Sequence, residues 1–272
     1  MLAFVVTVPV IDVDVASDAL WQLGVRAIEE RVGAADDVVE LWTAVGEDDT
    51  AIARAGAALG ERWPWSVVEV VEATADTWRE FAQPMWVDDS LVIVPAWQDQ
   101  VVGDGIVVIS IEPGGAFGLG DHATTLLSLR AARSRLADGC DVLDVGCGTG
   151  VIAIMAAMLG AGAVRAVDVA SAAVEATRDN AVRNGVAELI EVDTAPAADL
   201  DATYDLVVAN ILAPTLIELA DDLRRLTRPD GRLVISGILA QRHEHVLGAL
   251  AAMVVERVDT LDGWVAVTLR HA

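Results

Sequence analysis

A strand that runs into a glycine-rich loop carries the clearest chemical signal in the sequence. Residues 142–145 are apolar except for Asp144, and three alternating glycines follow, at Gly146, Gly148 and Gly150. The apolar residues after the loop have the pattern of a short buried helix. Glycines in a strand-to-helix turn let a ligand approach the backbone closely. The loop therefore predicts a binding site for a small molecule, with the Asp144 carboxylate at its mouth.

Two classes of cofactor bind loops of this kind. The dinucleotide fingerprint needs a third glycine at position 151, where this chain has Val151. A dinucleotide also brings a pyrophosphate, which the carboxylate of Asp144 would repel. A carboxylate here suits a cationic ligand instead, such as the ammonium and sulfonium groups of S-adenosylmethionine. We therefore predict S-adenosylmethionine as the cofactor, with contacts from Asp144, Gly146, Gly148 and Gly150.

Two polar residues at later strand ends extend the predicted site. Asp168 lies 22 residues after Gly146, where an acid can accept hydrogen bonds from both ribose hydroxyls. An aspartate at a strand end is ordinary by itself, so this argument rests on its register with the glycine loop. Asn210 follows the fourth predicted strand, where an asparagine can be only a helix cap. Ligands of such sheets bind at the carboxyl ends of strands, so we predict that Asn210 also contacts the cofactor.

A second glycine-rich segment, upstream of the loop, predicts a mobile flap. Residues 113–121 contain four glycines around Phe117, and His122 then opens a predicted helix. Such a segment can fold its backbone over a ligand. His122 can serve as a general base, but a single histidine without a partner acid is more often a structural hydrogen-bonding group. We predict no metal site, because the sequence contains no zinc-ligand spacing.

The first 73 residues predict a small α+β domain. Strand and helix patterns alternate as β-α-β-β-α-β, which is the ferredoxin-like or split βαβ arrangement. The predicted strands cover residues 2–10, 26–30, 38–45 and 66–71. The predicted helices cover residues 17–23, capped by Ser17, and residues 48–59. No catalytic constellation occurs in this domain.

Residues 74–272 predict a linker and a doubly wound α/β domain with a Rossmann-like, seven-stranded sheet. From about residue 141, apolar strands alternate regularly with helical patterns, as expected for a mostly parallel sheet. The last two predicted strands, residues 254–258 and 263–270, are joined by a turn over residues 259–263. An antiparallel hairpin is therefore predicted to close the sheet.

Composition limits the partners and the compartment. The 272 residues include 18 arginines, no lysine and 42 acidic residues, for a net charge of −24. This charge excludes a general nucleic-acid coat. It leaves two explanations open, steering toward a basic partner or a compositional bias of the organism's proteins. Cys140 and Cys147 predict neither a disulfide framework nor a metal site, which fits a reducing cytoplasm. Five glycines interrupt the apolar residues 145–164, so no membrane span is predicted.

Three motifs together indicate a family. Residues 116–125 read A-F-G-L-G-D-H-A-T-T, residues 210–213 read N-I-L-A, and residues 236–239 read S-G-I-L. These motifs resemble those of the ribosomal protein L11 methyltransferase family, the bacterial PrmA type, whose flap has the pattern A-F-G-T-G-x-H-x-T-T. The one departure is Leu119, where the family has threonine. The resemblance covers residues 77–272 strongly, whereas the first domain agrees in architecture more than in motif.

This resemblance implies a protein methyltransferase that uses S-adenosylmethionine. The family's cofactor contacts then correspond to Thr125, Gly146, Asp168 and Asn210. The flap residues that close over the methionine end of the cofactor correspond to Gly118, Gly120 and His122. The resemblance also implies that the first domain recognises the protein substrate, a basic ribosomal protein. Leu119 cannot supply the family's hydroxyl, so we expect cofactor binding to survive while flap behaviour or target choice differs.

Methyl transfer to an amine requires a neutral nucleophile. At pH 7, deprotonation costs about 4.6 kcal/mol for a lysine but only about 1 kcal/mol for an α-amino group, so the α-amine is the easier target. The site then needs acceptors that aim the lone pair and a pocket with little water, more than it needs a strong base. We predict that Asn210 and the backbone carbonyls of Ile211 and Leu212 orient the amine, with Phe117 beside the methyl group.

Two other functions remain open from the sequence. The same scaffold can methylate the lysines of another protein or a small amine, and a third interpretation is a non-catalytic adaptor that binds the cofactor. Retention of Asn210 and of the glycine flap argues against the adaptor, because cofactor storage needs neither. We predict methylation of ribosomal protein L11 by a cytoplasmic monomer that contacts neither nucleic acid nor a membrane.

Overall fold

The computed structural model describes most of the chain as two compact units. The described residues are 2–21, 23, 25, 28–33, 37–46, 49–60, 62–69, 82–98, 103–112 and 122–272. The amino-terminal unit comprises Met1–Phe81, and the carboxyl-terminal unit comprises Ala82–Ala272. The predicted domain boundary between residues 73 and 74 falls within residues 70–81, outside the described residues.

The described residues of the amino-terminal unit form a four-stranded antiparallel sheet and two helices. Its strands are β1 (Leu2–Pro9), β2 (Ile28–Val32), β3 (Val38–Thr43) and β4 (Trp65–Glu69). Its helices are α1 (Val13–Trp21) and α2 (Asp49–Leu59), with a 3₁₀ turn at Val10–Asp12. The strands lie in the order β2-β3-β1-β4, and every neighbouring pair is antiparallel.

Alternation along β1 builds the core of this unit. Phe4 and Val6 are buried on one side of the strand, where Ala16 of α1 packs with them. Ala16 lies one residue before Ser17, the predicted helix cap. That prediction is wrong, because α1 already begins at Val13 and its first turn brings Ala16 to the core.

The carboxyl-terminal unit contains a three-stranded sheet and a seven-stranded sheet. The smaller sheet consists of β5 (Met85–Asp88), β6 (Leu91–Pro95) and β7 (Val107–Ile111). The strands of the larger sheet are β8 (Asp141–Val145), β9 (Ala163–Val167), β10 (Ile190–Asp193), β11 (Tyr204–Asn210), β12 (Thr227–Leu239), β13 (Met253–Leu261) and β14 (Trp264–His271). The helices are α3 (Ala123–Arg133), α4 (Val151–Met158), α5 (Ser171–Arg183), α6 (Ala213–Glu218), α7 (Ala220–Leu226) and α8 (His243–Ala249). Short 3₁₀ turns occupy Ala187–Leu189, Ala197–Asp199 and Ala240–Arg242.

The larger sheet has the order β10-β9-β8-β11-β12-β14-β13. Its first five strands are mutually parallel, and β14 and β13 are antiparallel to their neighbours. An α-helix lies between successive parallel strands, except between β10 and β11, where the chain contains only the 3₁₀ turn at Ala197–Asp199. The prediction of a mixed α/β fold with a large, mostly parallel sheet is confirmed.

The strand order reverses between β8 and β11. From β8 the chain crosses to β9 and then to β10 on one side, and it returns to β11 on the other side of β8. Ligands of open α/β sheets bind at the carboxyl ends of the strands beside such a reversal. The loop after β8 and the residues after β11 therefore meet where a ligand is expected.

The strands beside this reversal are buried on both faces. In β8, Val142 and Leu143 have no exposed surface and Val145 is 4% exposed. Residues 151–157 of α4 are also buried. Continuous apolar burial is typical of parallel strands that are covered by helices. These strands hold the residues at their carboxyl ends in fixed positions.

The sheet ends in a hairpin whose turn is shorter than predicted. β13 continues to Leu261 and β14 begins at Trp264, so only Asp262 and Gly263 form the turn. Their φ angles are 48° and 80°, as a two-residue type I′ turn requires. The predicted turn over residues 259–263 is wrong in length, because the residues before Leu261 still pair with β14.

Two features bear on the predictions from composition. Cys140 and Cys147 are both buried and carry free thiols. None of the helices in the described ranges is both long enough and apolar enough to cross a membrane.

Candidate functional site

The glycine loop between β8 and α4 packs against the end of β11. Gly146 has a φ of 74°, and a Cβ at this position would overlap the Cγ2 atom of Ile211. The Gly146 N–H donates to the Val167 carbonyl at 2.8 Å, which ties the loop to the end of β9. Gly148 and Gly150 also have positive φ angles. The backbone therefore requires the predicted glycines, and the loop joins the ends of three strands.

Asp144 is fully buried near the end of β8. Its Oδ2 accepts a hydrogen bond from the Ala153 N–H of α4 at 3.2 Å. Its Oδ1 has no partner within the described residues. Burial raises the pKa of Asp144 to about 7; the Ala153 hydrogen bond opposes this rise and the charge of Asp168 adds to it. A buried oxygen without a partner is available to accept a hydrogen bond from a polar ligand or a water.

Asp168 lies directly after β9 and holds the glycine loop from the other side. Its Oδ2 accepts from the Gly148 N–H at 3.0 Å, and its Oδ1 accepts from the Ala170 N–H at 2.9 Å. Each oxygen of an ionised carboxylate has two acceptor positions, so each keeps one for a ribose hydroxyl. Asp168 therefore lies at the strand end where the sequence predicts it. It also fixes the Gly148 peptide, which the sequence did not indicate.

Asn210 ends β11 and pairs in register with Ser236 of β12. Its side-chain amide makes no hydrogen bond to the described residues. Leu212, not Asn210, is the N-cap of α6, so the helix-cap explanation of Asn210 is wrong. The Ile211 carbonyl lies against Gly237, where a Cβ would overlap its oxygen. An amide without a hydrogen-bond partner among the described residues and the neighbouring Ile211 carbonyl therefore lie beside the glycine loop. The Leu212 carbonyl, by contrast, accepts from the Leu216 N–H of α6 at 3.0 Å.

His122 is the N-cap of α3. Its Nδ1 accepts from the Thr124 N–H at 3.3 Å, and its ring meets the edge of Trp264 at a centroid distance of 5.1 Å. These contacts match the structural hydrogen-bonding role of His122 that the sequence analysis considered. The remaining predicted flap residues lie outside the described residues: Phe117, Gly118 and Gly120.

Thr125 offers a second buried polar atom. It is 1% exposed, and its Oγ1 has no partner within the described part of the chain. The neighbouring Thr124 carbonyl accepts from Ser236 Oγ at 3.4 Å, which joins the start of α3 to β12 next to Asn210. Thr125 Oγ1 and Asp144 Oδ1 are buried and have no partner among the described residues, which fits a polar ligand such as S-adenosylmethionine. Within the described ranges, no cluster of three or more His, Cys, Asp or Glu side chains could hold a metal ion.

Two residues of α5 that hold the loop are missing from the sequence-based prediction. Thr177 Oγ1 donates to the Gly148 carbonyl at 3.0 Å, and Asn180 Nδ2 donates to the Thr149 carbonyl at 3.0 Å. Both side chains are fully buried. The available signal was a pair of polar residues three positions apart, on a helix face whose other buried residues are alanine and valine.

A family comparison covers most of the chain. The model of the ribosomal protein L11 methyltransferase (PrmA) family matches residues 25–272. The chain belongs to this family. The family resemblance that the three sequence motifs indicated is therefore confirmed, and every site residue described above lies inside the matched region.

Individual PrmA relatives agree with this assignment. A ribosomal protein L11 methyltransferase from an Exiguobacterium species is 39% identical over 206 residues, which cover 74% of this chain and 66% of the relative. The protein of the same name from Pseudomonas putida GB-1 is 38% identical over 237 residues, covering 86% of this chain and 81% of the relative. The chain thus spans about two thirds of the length of the Exiguobacterium protein.

A solved PrmA-family structure has the same fold. The crystal structure of ribosomal protein L11 methylase from Lactobacillus delbrueckii subsp. bulgaricus matches with a TM-score of 0.66 and 32% sequence identity. The match covers 70% of this chain and 99% of that chain.

Proposed function

We propose that this chain transfers methyl groups from S-adenosylmethionine to the α-amino group and lysine side chains of ribosomal protein L11. The observation that carries the proposal is the PrmA family match over residues 25–272. The Exiguobacterium and Pseudomonas relatives bear the name of this activity. The site geometry supports it, because the groups that the reaction needs converge at the reversal between β8 and β11.

The residues at this reversal suit the cofactor. Asp144 offers the unpartnered Oδ1 to a cationic group, and Thr125 offers a buried hydroxyl. Asp168 keeps one acceptor position on each oxygen for the ribose hydroxyls. Backbone at Gly146 can approach a ligand closely, since it carries no Cβ. When bound, S-adenosylmethionine supplies an electrophilic methyl group on a sulfonium centre.

The residues after β11 suit the acceptor amine. The Asn210 side-chain oxygen and the carbonyls of Ile211 and Leu212 accept hydrogen bonds from its N–H groups and so direct its lone pair at the methyl group. Gly237 permits this arrangement, because a side chain there would displace the Ile211 carbonyl. No strong base is required for an α-amine, which costs only about 1 kcal/mol to deprotonate at pH 7.

The flap, residues 113–121, completes the site in this proposal. Phe117 lies beside the transferred methyl group, and Gly118 and Gly120 let the backbone fold over the methionine end of the cofactor. His122 orients the flap's exit as the N-cap of α3. Leu119 replaces a hydroxyl with an apolar side chain, so we expect it to change flap behaviour or target choice more than cofactor affinity.

The amino-terminal unit is the proposed recognition module for the protein substrate. Its antiparallel sheet of order β2-β3-β1-β4 and its two helices support assignment as a ferredoxin-like domain. We propose that this domain ends near residue 73. The net charge of −24 favours encounter with a basic ribosomal protein. The proposal includes a cytoplasmic monomer that binds neither nucleic acid nor a membrane.

A labelling experiment identifies the methyl acceptor without assuming in advance which protein it is. The protein is incubated with methyl-labelled S-adenosylmethionine and a bacterial lysate that retains its ribosomal proteins, and the labelled polypeptide is identified by mass spectrometry. We expect label in ribosomal protein L11. Label in another protein or in a small amine would replace the substrate assignment, and no label despite measurable cofactor binding would support the adaptor. The Asp168→Ala variant controls for label that does not depend on the cofactor site.

A further inference from the structure

One buried amide, Asn180 of α5, links two segments that are distant in the sequence. Its Oδ1 accepts from the Glu112 N–H at 2.9 Å, and its Nδ2 donates to the Glu112 carbonyl at 2.9 Å. The same Nδ2 also donates to the Thr149 carbonyl of the glycine loop at 3.0 Å. Glu112 is the last described residue before the flap segment, residues 113–121. Asn180 therefore joins the base of the flap to the cofactor loop.

These bonds use the donors of the Asn180 amide completely. A primary amide has two N–H donors, and both are engaged, one with Glu112 and one with Thr149. The orientation of the amide is fixed as well, because only its oxygen can accept from the Glu112 N–H. The side chain is fully buried. Asparagine is unfavourable inside a helix, where alanine is better by several tenths of a kcal/mol, so helix formation does not explain this residue.

Thr177 strengthens the link from the same face of α5. Its Oγ1 donates to the Gly148 carbonyl, so two consecutive carbonyls of the glycine loop, at Gly148 and Thr149, are held by α5. In a planar trans peptide the N–H points opposite to the carbonyl. The N–H groups of Thr149 and Gly150 therefore face away from α5. The helix thus sets the orientation of the loop peptides.

Asn184 provides a natural comparison one helical turn later. Its Oδ1 accepts from the Ser110 N–H and its Nδ2 donates to the Ser110 carbonyl, both at 2.8 Å. Its second donated bond goes to the Asn180 carbonyl of its own helix. Asn184 therefore holds β7 in the same way as Asn180 holds Glu112, but it makes no bond to the glycine loop.

We propose that Asn180 is a positioning residue for the methyl-transfer site, which holds the glycine loop and the base of the flap at one fixed separation. The glycine loop and Glu112 then move as one body, so that a ligand that orders the loop also orders Glu112. The inference rests on the proposed function for its kinetic consequences, whereas its structural consequence concerns the ligand-free chain alone.

The first test is amide hydrogen exchange by NMR on the full-length protein without cofactor. The Asn180 side-chain N–H protons are expected to exchange at least about tenfold more slowly than those of Asn210, since each donates a buried hydrogen bond. Equal exchange at the two side chains would overturn the proposal. This result needs no variant and no enzymatic activity, so it stands even if the proposed function fails.

The second test compares Asn180→Ala with Asn184→Ala as a matched control. Asn184→Ala loses the two side-chain hydrogen bonds to Ser110 of β7, and Asn180→Ala loses the two to Glu112, directly after β7. Only Asn180→Ala also loses a bond to the glycine loop. We expect the dissociation constant for S-adenosylmethionine, from calorimetric titration, to rise about tenfold in Asn180→Ala and by less than about twofold in Asn184→Ala. The KM for S-adenosylmethionine should rise with it, while the KM for L11 stays within about twofold.

Saturating cofactor adds a readout of the coupling itself. Bound cofactor is expected to slow hydrogen exchange of the Glu112 N–H in the wild-type protein. In Asn180→Ala, the cofactor should leave this exchange rate unchanged. Equal cofactor affinities of the two variants would overturn the proposal. Wild-type protein that binds no S-adenosylmethionine would instead refute the proposed function. The exchange rates of the Asn180 side-chain N–H protons would still test whether Asn180 links Glu112 to the glycine loop. If Asn180→Ala does not fold, Thr177→Val removes the hydrogen bonds of Thr177 Oγ1 to the Gly148 carbonyl and to the Cys147 thiol. An unchanged cofactor affinity in this variant would count against the proposal.

Discussion

Removing the charge of Asp144 should stabilise the ligand-free protein while weakening the cofactor site. Burial raises the pKa of this carboxyl from 3.8 to about 7. Below pH 3.8 the group is protonated in both the folded and the unfolded chain. Between pH 3.8 and 7 it ionises in the unfolded chain first, so the folded state loses stability as the pH rises. Above pH 7 the loss is complete.

The size of this effect follows from the pKa difference. A difference of about three pKa units corresponds to about 4 kcal/mol between the acidic and the alkaline limit. More than half of this loss falls between pH 5 and pH 8. The Asp144→Asn side chain does not ionise, so its free energy of unfolding should not contain this loss.

Urea unfolding at pH 5 and pH 8, followed by circular dichroism, measures the difference. The stability of Asp144→Asn relative to the wild-type protein should increase by about 2 to 3 kcal/mol from pH 5 to pH 8. Asp179→Asn is the control, because it removes the same charge from an exposed position of α5. A stability difference that is the same at both pH values would refute the argument that Asp144 is held buried at an energetic cost.

Cofactor affinity should change in the opposite direction. Calorimetric titration of Asp144→Asn at pH 8 is expected to give a binding loss of about 1.5 to 3 kcal/mol, the range for hydrogen bonds to charged groups. Stability and function then oppose each other at this residue, as they commonly do at binding sites. Unchanged affinity would show that the unpartnered Oδ1 does not face the cofactor.

Three further predictions concern other parts of the site. Asp168→Ala should weaken S-adenosylmethionine binding by about 1.5 to 3 kcal/mol, because it loses charge-assisted acceptors and frees the Gly148 N–H. Calorimetric titration measures this change, and unchanged affinity in a folded variant would show that Asp168 does not bind the ribose hydroxyls. Asn210→Ala should lower turnover at saturating cofactor more than it lowers cofactor affinity, since alignment of the amine is lost; normal steady-state turnover would assign alignment to the backbone alone. A truncated protein that begins at Thr74 should still bind S-adenosylmethionine but lose methylation of L11, because recognition by the first domain raises the effective concentration of the target amine. Undiminished methylation of L11 by the folded truncated protein would exclude a role of the first domain in substrate recognition.

Residues whose roles depend on local sequence could be predicted from the chain alone. The glycine loop is one example, because positive φ angles and close approach at Gly146 need a residue without a Cβ. The positions of Asp168 and Asn210 could be predicted as well, since each directly follows or ends a buried strand and parallel strands bring their carboxyl ends to one edge. The family motifs then connected these positions with one reaction.

Residues whose roles depend on distant partners could not be predicted in this way. Asn180 contacts Glu112, which lies 68 positions earlier in the chain. In the sequence it resembles any polar residue on an exposed helix face. The bond from Gly148 to Asp168 likewise became visible only with the loop in place. The start of α1 was misplaced because Ser17 is a good cap by residue type, whereas core packing of Ala16 decides where the helix begins.

The central claim is that the site at the reversal between β8 and β11 methylates ribosomal protein L11. The most direct measurement incubates the full-length protein with S-adenosylmethionine and purified L11, then maps methyl groups on L11 by mass spectrometry. One sample of L11 has a free α-amino group, and a second has that group acetylated. Methyl groups on the α-amine and on lysines of the first sample, and on lysines only of the second, are the predicted result. Unmodified L11 in both samples, with cofactor binding verified in the same preparation, would contradict the account.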